Sequence, residues 1–149
     1  MMYKFKPEKR LLLHTEMATY IKVQKCDEDE VVQTSSDLYK LSTFRDLADV
    51  AKNVSAEILQ KLGYKYDKLE MTGMWGNWLK SGQSHPPHTH SNNVLSGVYY
   101  IQSQKESSPI QFFDPRPIAH HMKPVNTPNW QNAGMLQFDA EEGSGLIFP

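Results

Sequence analysis

A single cysteine, Cys26, supplies all the thiol chemistry of this 149-residue chain. An internal disulfide is thereby excluded, and so are four-thiolate zinc and iron–sulfur sites, which leaves His, carboxylate or backbone oxygen to bind any metal. Charge of one sign is missing too. Sixteen Lys and Arg stand against 17 Asp and Glu, which gives no electrostatic reason to expect a nucleic-acid partner or an anionic membrane. Long apolar runs are also absent: the three leucines at 11–13 are too few for the core of a signal peptide, and no stretch is long enough to span a bilayer. With one cysteine and no targeting segment, the cytoplasm is the expected compartment. The length suits one hydrophobic core, so a single domain over 1–149 is expected.

What the chain does have is unevenly placed. From Thr43 to Leu62 the apolar positions Phe44, Leu47, Ala48, Ala51, Val54, Ile58, Leu59 and Leu62 recur three and four apart, which predicts an amphipathic helix. Ser42 or Thr43 could cap its start, and Gly63 stands where a left-handed residue would end it. Beyond Gly63 the pattern shifts to short aromatic and β-branched runs at Leu69 to Leu79, Val94 to Gln102, Ile110 to Phe113, Met135 to Phe138 and Leu146 to Phe148. These read as strands separated by Gly-, Pro- and Asn-rich turns. A helix buttressing an antiparallel sandwich or barrel is expected, hence a mainly β fold. The stretch from Pro115 to Ala133, with Pro115, Pro117, Pro124 and Pro128, lacks periodicity and reads as a long surface loop.

Five of the six histidines lie between 85 and 121. In the segment Gly82-Gln83-Ser84-His85-Pro86-Pro87-His88-Thr89-His90, residues two apart on an emerging strand would face one side, so His88 and His90 could present both imidazoles to one ion. Imidazole suits iron, zinc, copper or nickel, and at least one more ligand must come from elsewhere. His85 is the nearest candidate, although Pro86 and Pro87 stiffen the chain between them. His120 and His121, in the proline-rich segment, are further candidates. The alternative is a solvated proline-rich loop whose histidines bind nothing.

Trp75-Gly76-Asn77, Gly82, the block His85 to His90, Leu95-Ser96-Gly97-Val98-Tyr99-Tyr100, Asp114-Pro115-Arg116 and Gly145-Leu146-Ile147-Phe148-Pro149 follow one another in an order that resembles the 2-oxoglutarate/Fe(II) oxygenase family of small bacterial and phage proteins. The resemblance covers about residues 38 to 149. It implies a double-stranded β-helix, the jelly-roll fold shared with cupins, with Fe(II) and 2-oxoglutarate as cofactors and a hydroxylase-like dioxygenase activity. It also implies that His88 takes the place of the first iron-binding His and His90 the place usually held by Asp, which leaves the site one unit more positive. By the same likeness, Ser96 and Tyr100 sit where hydroxyl and phenol groups contact 2-oxoglutarate; ordinary sheet packing is the alternative. Members of the family carry the distal iron-binding His and the Arg that pairs with 2-oxoglutarate downstream of the Gly-x-x-Phe-Pro block.

In this sequence that block is an apolar strand-like run with no polar tail after it. Proteins avoid such an open edge, so further residues are expected beyond Pro149, and an uncovered edge would invite a homodimer. Two more polar residues are candidates for ligand binding. Asn77, between Trp75 and Trp78, would need a partner if buried, either a ligand carboxylate or a backbone group. Arg116 could clamp an acidic substrate or close its own turn through Asp114. His14 and the acidic run Asp27 to Glu30 read as incidental. The substrate, a small molecule or a peptide, is not legible. Two other functions compete: a cupin-like metal-binding protein, since Gly82, His88-Thr89-His90 and Gly97 fit much of that motif although its Glu is absent at Asn93, Val94 and Leu95, and a non-catalytic ligand-binding version of the fold.

Overall fold

The strongest periodicity in the sequence becomes the longest helix. A computed structural model describes residues 2–8, 12–24, 31–116, 129 and 131–149; Cys26, residues 27–30, His120, His121 and most of the proline-rich segment lie outside them. In the larger of two units, residues 1–102 with 143–149, helix α1 runs Leu12–Lys22 and helix α2 runs Ser42–Lys61. On α2, Phe44, Leu47, Ala48, Ile58 and Leu59 are buried, as their three- and four-residue spacing requires of one face. Neither Ser42 nor Thr43 caps it. The chain enters from a 3₁₀ turn at Leu38–Lys40, which moves the cap position back to Leu41, a residue with no side-chain oxygen to offer. The other end follows the sequence closely: Gly63 has φ 75°, its N–H donates to Gln60 O at 3.0 Å, and Tyr64 N–H donates to Leu59 O at 2.9 Å. These two bonds form a Schellman closure, which favours glycine at the left-handed position.

Helix α1 was not expected. Met17 and Ile21, one turn apart, pack with Leu38, Phe44 and Leu47 into the core, and Tyr20, Met74, Trp78, Tyr99 and Ile101 lie against it. The rings of Tyr20 and Phe44 meet edge to face at 5.6 Å. Burying a side chain such as Phe44, 1% exposed, is worth about 1.5–3 kcal/mol, so this cluster is a main source of the unit's stability.

Three strands form the main sheet: β1 (Tyr3–Phe5), β4 (Ser96–Tyr99) and β7 (Gly145–Phe148), in the order β1-β7-β4 and antiparallel throughout. The run read as an open edge is therefore the central strand. Both of its sides are paired, and Gly145, Leu146 and Ile147 are buried. Phe5 and Tyr99 flank Gly145 in register and stack at 6.0 Å. A Cβ on Gly145 would run into the Phe5 ring and lie 2.9 Å from Val98 O, so a close approach requires glycine here. A second sheet pairs β2 (Val32–Gln33) with β3 (Asn77–Trp78). The smaller unit, residues 103–142, carries the antiparallel pair β5 (Ile110–Phe113) and β6 (Met135–Phe138), with Phe112 and Phe138 edge to face at 5.9 Å.

The expectation of a mainly β chain is corrected to a mixed one. Among the described residues, two helices of 11 and 20 residues accompany seven strands of two to four residues. Among the described residues the sheets have three, two and two strands, fewer than the eight strands of a jelly roll. The run Leu69 to Leu79 contributes only Asn77–Trp78 to a strand, in part because Gly73 and Gly76 interrupt it and glycine weakens strand pairing. Among the described residues no helix is long and apolar enough to cross a membrane.

Candidate metal centre

The histidine segment is shaped by what precedes it. Gly82, at φ 85°, lets the chain reverse after β3, with Gln83 N–H donating to Lys80 O at 3.1 Å and Lys80 N–H donating to Gln83 Oε1 at 2.8 Å. Two prolines follow. They fix φ and have no N–H of their own, and the carbonyl of Pro86 is left facing the ring of His88 at 3.0 Å from Nδ1. A carbonyl can only accept, so Nδ1 must carry the proton, and in the neutral imidazole Nε2 is then the bare nitrogen. A hydrogen bond of this kind fixes the tautomer of metal-binding histidines.

That bare nitrogen accepts a hydrogen bond from Nε2–H of His90 at 3.1 Å, and the two ring centroids are 4.9 Å apart. With metal–nitrogen bonds of about 2.1 Å, two ligands at a right angle place their nitrogens about 3.0 Å apart. The spacing therefore also suits two ligands of one ion, which would replace the His90 proton. Strand alternation is not what brings the rings together: residues 83–90 are irregular, and β4 begins only at Ser96. Both histidines are exposed.

The other singled-out residues fall in different places. The ring of His85 is 6.3 Å from that of His88, and among the described residues no three His, Cys, Asp or Glu converge as a metal group. Ser96 is opposite Phe148 in the β4–β7 register, and Phe148 meets His90 at 6.1 Å with the ring planes at 90°. Tyr100 follows β4, with Tyr100 N–H donating to Ser144 O and Gly143 N–H donating to Tyr100 O. Burial raises the pKa of its phenol above the ordinary value, so the O–H stays protonated and able to donate at neutral pH.

Asn77, on β3, has a buried Oδ1 with no hydrogen-bond partner among the described residues. Arg116, in the smaller unit, takes the turn-closing alternative: its Nε donates to both carboxylate oxygens of Asp114 at 3.0 Å, and the backbone N–H of Arg116 donates to Oδ1 at 2.9 Å. The carboxylate raises the pKa of the guanidinium.

Sequence reasoning missed three participants. The Pro86 carbonyl faces the ring of His88 and the Phe148 ring meets that of His90 edge to face, contacts that no spacing in the sequence announces. His14 is not incidental: its Nε2 is 2.7 Å from the Tyr99 hydroxyl, tying α1 to β4.

Residues 73–149 match the profile of a family described as "Putative 2OG-Fe(II) oxygenase". The chain belongs to this family. No curated protein matches it. The name of the 2OG-Fe(II) oxygenase family implies Fe(II) and 2-oxoglutarate. For the metal, the span of the two Nε2 atoms and the fixed His88 tautomer fit two of the positions around an iron ion. Among the described residues a third ligand is not assembled beside them. For 2-oxoglutarate, Tyr100 offers a protonated donor, whereas the orphaned Oδ1 of Asn77 is an acceptor and cannot face a carboxylate.

Proposed function

We propose that this chain is an Fe(II)- and 2-oxoglutarate-dependent dioxygenase of the hydroxylase type, with His88 and His90 as two iron ligands and a small molecule or peptide as substrate. The observation that carries this reading is the 3.1 Å span between the two Nε2 atoms, together with the family. When bound, the iron would bring O2 and 2-oxoglutarate together, so that one oxygen atom enters a substrate C–H bond and the other leaves in succinate as CO2 is released.

The side chains have separable tasks. Pro86 O holds the Nδ1 proton of His88 and keeps its Nε2 lone pair directed at the metal position. Two neutral imidazoles add no negative charge, so a divalent ion keeps its full attraction for an anionic co-substrate. The Tyr100 phenol and the Ser96 hydroxyl donate to 2-oxoglutarate oxygens in this reading. Asn77 Oδ1 accepts from an N–H or O–H of whichever ligand covers it. The jelly roll, the single domain and the cytoplasmic setting belong to the same proposal.

Its test is an anaerobic Fe(II) titration of the full chain, followed by O2 and labelled 2-oxoglutarate. Iron binding and CO2 release that both vanish in His88→Ala support the dioxygenase. The exposure of both imidazoles favours a second reading, a cupin-like protein that holds a metal without turnover, because oxidative chemistry calls for a site closed to water. Tight metal binding with no CO2 release would select it. No metal binding at all would refute both.

A further inference from the structure

We infer that Phe148 is a positioning residue for the metal centre, setting the angle at which His90 presents its Nε2; this rests on the proposed role of the His88 and His90 pair. The two imidazoles are held by different means. His88 has the Pro86 carbonyl on its far nitrogen. For His90 the described contacts are with His88 and with the Phe148 ring, which it meets at 6.1 Å and a right angle. Such perpendicular contacts are attractive and directional, because the ring face is negative and the ring edge positive. An imidazole that gives electron density to a metal becomes more positive at its edge, so a neighbouring ring can favour the bound state as well as the geometry.

Phe148 is well placed for this task because a paired strand carries it. It belongs to β7, paired on one side with β4 through Ser96 opposite Phe148, and on the other with β1. The residues before it, Gly145 to Ile147, are buried. Irregular backbone carries His90, and the sheet carries the ring that orients it. A site on a loop gains precision when a rigid element supports it.

The test uses metal-free full chain and Co(II), whose visible spectrum reports its ligand geometry. Phe148→Leu should weaken Co(II) binding about three- to tenfold, the range a lost aromatic pair implies, and should alter the Co(II) bands. Phe148→Tyr should restore both. In the metal-free protein the His90 ring protons should shift in the NMR spectrum when the aromatic ring is removed, a readout independent of any metal. Phe148→Met, closer in volume, serves if the Leu variant does not fold.

Wild-type Co(II) affinity and bands in a folded Leu or Met variant would overturn the role of Phe148 while leaving the histidine site standing. Unmoved His90 ring protons would do the same. Failure of the wild-type protein to bind Co(II) would overturn the site itself, and the positioning role with it.

Discussion

Removing one imidazole from the pair should remove most of any metal-dependent stabilisation, and the size of the loss follows from the geometry. With Nε2 atoms 3.1 Å apart, both rings can bind one ion without rearrangement, so the second nitrogen binds intramolecularly. Such linkage strengthens binding by about 10²–10⁴. At a free Zn(II) concentration 100 times the wild-type Kd, the folded state gains about 2.7 kcal/mol. For a chain of this size about 2–4 °C accompanies each kcal/mol, so the melting temperature should rise by roughly 5–10 °C. In His88→Ala or His90→Ala, a hundredfold weaker site leaves about 0.4 kcal/mol at the same Zn(II), a rise of only about 1–2 °C. Thermal melts by circular dichroism, with and without Zn(II) after removal of metal by chelation, read this directly. An equal rise in wild type and both variants, or none in any of them, would refute the two-imidazole site.

Three more expectations come from neighbouring features. Gly145→Ala places a methyl group against the Phe5 ring and the Val98 carbonyl and should cost about 1–3 kcal/mol in urea unfolding; an unchanged midpoint would mean the β1–β7 contact is looser than described. Asn77→Leu removes a buried acceptor that has no partner, so stability should hold or rise by about 1 kcal/mol, and a clear loss in the same unfolding assay would mean the amide is satisfied in the protein. The Tyr100 phenol has its pKa raised by burial. The unfolded chain therefore gives up this proton first, and stability should fall as pH climbs from about 10 through the folded value. That slope should be smaller in Tyr100→Phe, measured by denaturant midpoints across that range.

How much was legible depended on whether the signal was local. Helix α2 was readable within a residue at each end because its apolar face repeats over five turns and Gly63 marks its close. The hairpin strands Ile110–Phe113 and Met135–Phe138 were readable from alternation and the turns around them. Helix α1 was not: among its described side chains the buried apolar ones are Met17 and Ile21, with threonines and His14 between weak cues. Strands β1 and β2 are three and two residues long, and β1 is defined by pairing with a strand about 140 residues away, which no local pattern encodes. The closeness of His88 and His90 was legible in the His-x-His spacing, but their geometry comes from a proline carbonyl and an irregular loop rather than from strand alternation. The closure of Arg116 on Asp114 was legible as one of two alternatives, because the two residues stand two apart on either side of Pro115.

The place of β7 between β1 and β4 also governs when this protein can fold. Tyr3–Phe5 and Gly145–Phe148 are about 140 residues apart in the chain, so the sheet that carries Phe148 closes only once everything between them has been made. Until the middle strand arrives, Phe5, Tyr99 and the two imidazoles have no common frame, and non-local closure of this kind makes folding slow. The proposed metal site would form only after that closure.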